Sequence, residues 1–414
     1  MAIVRPFKGI RPNEEAASQV AALPYDVYNS REEALEVVKK CPLSFLRIDR
    51  AETNFDASVD MYSLQVYEKA RDILWGMLDD GTFIQDGTPC YYIYELTMNG
   101  KAQTGLVACA SIDDYKNNVI KKHENTRASK EVDRINHVDI CNAQTGPIFL
   151  AYRKDPTVDM IVNKVKNAKA PVYNFVSEDD VRHTAWVIDD MDDIEQIRES
   201  FEGIDKIYIA DGHHRAASAV KVGLKRRRAN PGYTGGEEFN YFLSVFFPGD
   251  HLTILPYNRL VKDLNGLTDE MFMTQLEEKF EVRKVGKKAY QPEKKGTFGM
   301  YFREEWYELT ARPEILSDDV VDGLDVSILQ NNVMASIFGI YNPKTDRRID
   351  YVGGIRGLEE LERRCHEDMM LAFSMYPTSI EELFAVADAN RLMPPKSTWF
   401  EPKLRSGLFI HSLK

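Results

Sequence analysis

The sequence predicts a mixed α/β protein of the α+β kind, and three observations carry that reading. Apolar strand-like runs interleave with amphipathic helical stretches without a regular βαβ rhythm. An Asn-Gly turn joins two β-rich runs. The stretch IYIADGHHRAASAV (207–220) hands a short apolar strand over to an alanine-rich helix.

The elements follow in order. Pro6, Pro12 and Pro24 break the first segment into strand and loop around a short helix at about 14–21. Ser30, with Glu33 three residues on, opens a helix that runs through Lys40. LSFLRID (43–49) reads as a strand. Met61, Leu64, Ala70, Ile73, Leu74 and Leu78 form the apolar stripe of a helix over about 57–79. CYYIYELTM (90–98) and AQTGLVACASI (102–112) flank Asn99-Gly100-Lys101 as a β-hairpin. KKHENTRASKEVDRINHVDI (121–140) has too little apolar content for a core and suits the cap of a pocket. Strands are expected at 147–153, 183–189 and 206–210, with a helix at about 191–202. The apolar runs NYFLSVFFP (240–248) and LTILPYNRLV (252–261) come next. The character changes at about 262, giving a helix at 268–280, a hairpin-rich stretch through EEWYELTA, a helix at 326–340 and a strand in LAFSMYPTS (371–379).

The 414 residues give room for two domains, read here as 1–245 and 246–414. Against 53 Lys and Arg stand 65 Asp and Glu, and the net charge of -12 disfavours nucleic acid and anionic lipid as partners. Five scattered cysteines without a CxxC pair fit a reducing cytoplasm and indicate no thiolate metal cluster. The apolar runs are too short to cross a bilayer. GxxxxGK[ST], GxGxxG and GxSxG are all absent, which disfavours a P-loop ATPase, a Rossmann dehydrogenase and a serine hydrolase.

The candidate site starts at DGHHR. Gly212 permits a turn closed to other residues, and the first N–H groups of a helix can donate hydrogen bonds to an anion. Asp211, Gly212, His213, His214 and Arg215 therefore read as a phosphate cradle, with Arg215 offering paired donors. His123, Arg127 and Lys130 in KHENTRASKEVDR add groups suited to phosphate charge. Asp26, Asp49, Glu52 and Glu124 are the carboxylates placed to act as a base. The proline-fixed MPPKSTWFEPKLRSG (393–407), with Lys396, Lys403 and Arg405, suits an anionic ligand or an aromatic-anchored tail. The KRRR run at 225–228 has no stacking platform or zinc-finger spacing beside it and reads as a solvated helix end.

RPFKGIRP, LPYDVY, PLSFLRIDR, KHENTRASKEVDR, IADGHHRAASA, LTILPYNRLV, RRIDYVGG, MYPTSIEELFAVADA and MPPKSTWFEPKLRSG, in this order, resemble domain-of-unknown-function family 1015 along essentially the whole chain. DGHHR also resembles the signature of the ParB/sulfiredoxin-like superfamily, which includes free serine kinases. The resemblance implies a ParB/sulfiredoxin-like core in the first part of the chain, with residues 211–215 on nucleotide phosphates. It implies ATP or ADP with Mg2+ as cofactors and a kinase acting on a small-molecule hydroxyl, free L-serine among them. A nucleotide-binding or nucleic-acid-associated regulator without catalysis is the alternative, and a homodimer is compatible with either. Two departures from pattern stand out. His213 occupies the place of the sulfiredoxin cysteine, which speaks against sulfinate reduction, and Asn258 stands where the family pattern has a histidine.

Overall fold

The computed structural model describes residues 1–126 and 128–414, with backbone alone at 128–130. The chain divides into two compact units, Met1–Leu252 with Pro402–Lys414, and Thr253–Glu401. Each is built of strands and helices together, as the sequence pattern predicts.

In the first unit the hairpin forms as its turn dictates. Asn99 and Gly100 take φ of 51° and 78°, the left-handed pair of a two-residue hairpin turn, and Met98 pairs with Lys101. Among the described residues, this hairpin lies within a nine-stranded mixed sheet. From one edge the order is Ile120–Lys121, Ile207–Asp211, Ile148–Tyr152, Tyr241–Pro248, Lys101–Ser111, Tyr91–Met98, Arg182–Ile188 and Tyr173–Val176. Val4–Arg5 pairs with Lys101–Ser111 off this path. Ile207, Tyr208 and Ile209 are at most 1% exposed. Burial on both faces explains why that strand reads as an unbroken apolar run rather than an alternation.

Helices Pro156–Ala168, Met191–Glu202 and His213–Ala229 bury Ile161, Val165, Ile194, Phe201, Ala216 and Val220 in the sheet's apolar cluster. Met191–Glu202 forms where the pattern places it, with the Asp190 side chain accepting the Asp193 N–H. Ser30 likewise caps Arg31–Lys40 by accepting the Glu33 N–H. Pro156–Ala168 was not expected from the pattern, although Asp155 caps it and Pro156 fills its first turn.

LSFLRID corrects the sequence reading. It is no strand: Leu46–Asp49 is a helical turn, followed by the 3-10 turn Ala51–Asn54. Phe45, Leu46 and Ile48 are fully buried in a second apolar cluster with Val20, Val66, Leu74 and Phe83. A short run buried on every side has no period to distinguish strand from helix. The helix expected from 57 begins at Leu64, because turns closed by Asp56 and Asp60 carbonyls occupy the residues before it. The polar stretch 121–140 also departs from expectation. Its helix Ala128–Cys141 turns Glu131, Arg134 and His137 inward, at 4%, 8% and 2% exposure.

The second unit carries a six-stranded antiparallel sheet in the order Phe280–Gly286, Glu305–Ala311, Thr297–Phe302, Leu371–Ser374, Tyr257–Val261, Ile349–Gly353. Pro256 splits LTILPYNRLV into two strands. Asp269–Glu277 starts on a Thr268 cap, and Ser379 with Glu382 forms a reciprocal capping box on Ile380–Asp388. Buried Asn258 accepts the Met375 N–H at 3.0 Å. No described helix is long and apolar enough to cross a membrane.

Candidate functional site

Strand Ile207–Asp211 passes to helix His213–Ala229 through a single residue, Gly212. Its φ is +94°, and a Cβ there would stand 3.3 Å from the Arg215 guanidinium. Glycine is what this turn accepts without strain. The pairing with Ile148–Tyr152 slips between Ile209 and Asp211, and such a bulge re-aims the residues at a strand's end. Asp211 accepts the Gly212 N–H at 2.7 Å and the Lys403 ammonium at 3.1 Å. Burial alone would raise its carboxyl. The Lys403 and Arg215 charges, with those two hydrogen bonds, hold it well below the usual carboxylate range.

His213 opens the helix with its ring packed edge-on against His123, centroids 4.4 Å apart. Burial lowers both imidazoles, His123 to about 4 and His213 well below its ordinary value. Both rings are therefore neutral near neutral pH. Among the described residues, His123 Nδ1 and His213 Nε2 are buried without a hydrogen-bond partner. Arg215 Nη1 donates to the Pro147 carbonyl at 2.7 Å. That bond fixes the guanidinium and leaves its other N–H groups for an anion.

Arg215 lines a cleft together with Asp49, Tyr25, Arg134, His137 and Thr145. Thr145 Oγ1 donates to Asp49 Oδ1 at 2.9 Å. Arg134 lies 4.1 Å over the Tyr25 ring and pairs with Asp133 at 2.8 Å. Burial opposes the Arg134 charge, and Asp133, Tyr25 and Asp49 more than offset it. Burial pushes the Tyr25 hydroxyl up to about 12. His137 Nε2 donates to the Ile48 carbonyl at 3.1 Å. Burial, then the Arg134 charge, lowers that imidazole. A cleft with two guanidinium groups, a buried carboxylate and apolar walls can hold a small anion and orient a hydroxyl beside it.

The residues singled out in the sequence fall into distinct places. Asp49 and Arg215 meet in the cleft lining, while His123 packs against the turn at 211–215. His214 is half-buried on the first helical turn. Glu52 is buried in an ion pair with Arg50 at 2.6 Å. Asp26 and Glu124 are exposed and do not line the cleft. Arg127, and the side chain of Lys130, lie outside the described residues. The basic run is engaged inside the molecule: Lys225 and Arg226 pair with Asp139, and Arg227 pairs with Asp113.

Arg134 closes the charged stretch KHENTRASKEVDR weighed for phosphate chemistry but is not among the assigned site residues, nor are His137 and Thr145. The signal for the first two is their spacing, since Arg134, His137 and Val138 share one helix face at i, i+3 and i+4. A polar face with helical period was legible; that it points inward was not.

The pattern of the family described as "Protein of unknown function (DUF1015)" matches residues 4–327. Among solved structures, the chain is similar to a free serine kinase mutant in complex with AMP, at 13% identity and a TM-score of 0.36, over 73% of this chain and 92% of that one. It is similar to SbnI with C-terminal truncation from Staphylococcus aureus at 12% identity and a TM-score of 0.38, over 74% and 89%. For a conserved hypothetical protein from Pyrococcus furiosus the values are 16% and 0.34, over 73% and 94%. No curated protein matches the sequence.

Proposed function

The chain belongs to the family described as "Protein of unknown function (DUF1015)", and we propose that it is a small-molecule kinase that moves a phosphoryl group from ATP or ADP to a hydroxyl. The observation that carries this reading is that Arg215, at a helix start, and Asp49, a buried carboxylate, line one cleft. In this reading the first unit is a ParB/sulfiredoxin-like nucleotide-binding core.

The nucleotide's phosphates sit at the start of His213–Ala229. There the helix dipole and the Arg215 fork favour negative charge. Asp49 accepts the proton of the acceptor hydroxyl, and the Thr145 hydrogen bond orients the carboxylate. The acceptor oxygen forms a bond to the terminal phosphorus as the bond from phosphorus to the bridging oxygen breaks. The electron pair leaves with the shortened nucleotide. Arg134 is a second fixed positive group for the charge on the transferred phosphoryl oxygens.

Among the described residues no group of three or more His, Cys, Asp or Glu is placed to hold a metal ion. Magnesium is supplied in the assay together with the nucleotide, since its usual ligands are the phosphates, waters and one or two carboxylates.

The test is incubation with magnesium, ATP or ADP, and a panel of small hydroxy compounds, followed by phosphorus NMR. Free L-serine comes first because of the motif resemblance, with O-phosphoserine as the product. A phosphomonoester growing with enzyme concentration supports the proposal. No product from either nucleotide across the panel overturns it. Tight nucleotide binding without product would make the protein a sensor instead.

A further inference from the structure

The chain's last segment reaches the turn at Asp211–Gly212. Residues 402–414 belong to the first unit, and successive bonds fix their register. Ser406 N donates to the Ala22 carbonyl and Ile410 N to the Ile10 carbonyl, each at 2.8 Å. Arg405 Nη2 donates to Asp179 Oδ2 at 2.6 Å and to Ser177 Oγ at 3.0 Å. At Gly407, φ is +87° and a Cβ would stand 2.6 Å from the Phe45 ring, so the segment passes through a gap only glycine fits.

This register puts Lys403 Nζ 3.1 Å from Asp211 Oδ2, while Asp211 also accepts the Gly212 N–H at 2.7 Å. One carboxylate thus ties the tail to the strand–helix junction. It also poses a difficulty, because a negative charge just before a helix start repels an incoming anion unless it is neutralised. The Lys403 side chain is 17% exposed and that of Asp211 36%, so the pair is partly open to solvent. Beside this turn, His123 and His213 pack edge-on at 4% and 6% exposure, with His123 Nδ1 and His213 Nε2 lacking a hydrogen-bond partner among the described residues.

We propose that Lys403 is a positioning residue of the phosphate site. Its ammonium neutralises Asp211 and holds that carboxylate on the Gly212 N–H, so that the helix start and Arg215 receive an anion. The proposal rests on the nucleotide reading above and adds to it that the site is complete only with the C-terminal segment in place.

The test is calorimetric titration of the full chain with ADP, for wild type, Lys403→Met, Lys403→Arg, Asp211→Asn and the double variant K403M/D211N. Lys403→Met should weaken ADP binding about tenfold or more, and Lys403→Arg should keep affinity near wild type. The double variant should recover most of the loss, because removing the carboxylate charge removes the need for its neutralisation. A purely structural lysine would give no such recovery. Unchanged affinity in Lys403→Met, or a double variant no better than the single one, overturns the proposal. Should Lys403→Met fail to fold, Lys403→Arg and the double variant still decide it: a tenfold loss in Lys403→Arg relative to wild type, or in the double variant relative to Asp211→Asn, contradicts the charge argument. Wild type that does not bind ADP overturns the nucleotide reading and the Lys403 proposal together, an outcome distinct from the others.

Discussion

Thr145 donates its hydroxyl hydrogen to Asp49 at 2.9 Å, from 96 positions away in the chain. Both residues are buried, at 5% and 3% exposure. The bond joins the helical turn Leu46–Asp49 to the loop that follows strand Ala143–Gln144, and it sets the direction of the one candidate base that lines the cleft with Arg215.

Thr145→Val keeps the shape of the side chain and removes the donor. Leaving a buried carboxylate oxygen without that bond should destabilise the fold by about 1–3 kcal/mol, read as a lower midpoint in urea unfolding. Turnover should fall further than the loss of folded protein explains.

Asp49→Asn removes the proton acceptor while keeping an oxygen for Thr145. Turnover should drop by about a hundredfold or more, in line with the loss of a positioned general base. ADP affinity should stay within about threefold of wild type, well short of a tenfold, 1.4 kcal/mol change. Equal turnover would remove Asp49 from the chemistry and return the question to Asp26, Glu52 and Glu124.

Gly212→Ala places a side chain at φ +94° and 3.3 Å from the Arg215 guanidinium. The backbone cost should be about 1–2 kcal/mol, seen as a lowered unfolding midpoint. Arg215 must also shift, so phosphate-dependent binding should weaken in the same variant.

Stability should respond to acid through the histidine pair. His123 is held to about 4 by burial, partly opposed by Asp211, and His213 is lowered by burial and by His123, His214 and Lys122. Because the folded values lie below the unfolded value, protons favour unfolding. The stability is complete above about pH 6.5 and is lost as pH falls toward about 4. For His123 the full loss is on the order of 3 kcal/mol. Urea midpoints near neutrality and at mild acid should fall less for His123→Asn than for wild type.

Much of the first unit was legible because local chemistry decided it. Asn99-Gly100 fixes the hairpin, Ser30 and Asp190 cap their helices, and Gly212 marks the change from strand to helix. The site was legible in part. Arg215 and Asp49 carried their own signals, but what brings them together is long-range packing. LSFLRID gave no period from which to tell a helical turn, since its apolar residues are buried on every side. Arg134 and His137 sit in a stretch whose charge suggests a solvated face. They are buried because the Asp133 carboxylate and the Ile48 carbonyl take their hydrogen bonds. The contact of Lys403 with Asp211 spans 192 positions, a relation that no local pattern encodes.

The central claim is that the helix start at Gly212–Arg215 holds nucleotide phosphates, and the most direct test is calorimetric titration of ADP, with and without magnesium, into wild type and Arg215→Ala. Wild type should bind, and the variant should bind about tenfold to a hundredfold more weakly while melting within a few degrees of wild type. Equal affinities in the two proteins, or no binding by a folded wild type, would contradict the claim and with it the assignment of a kinase.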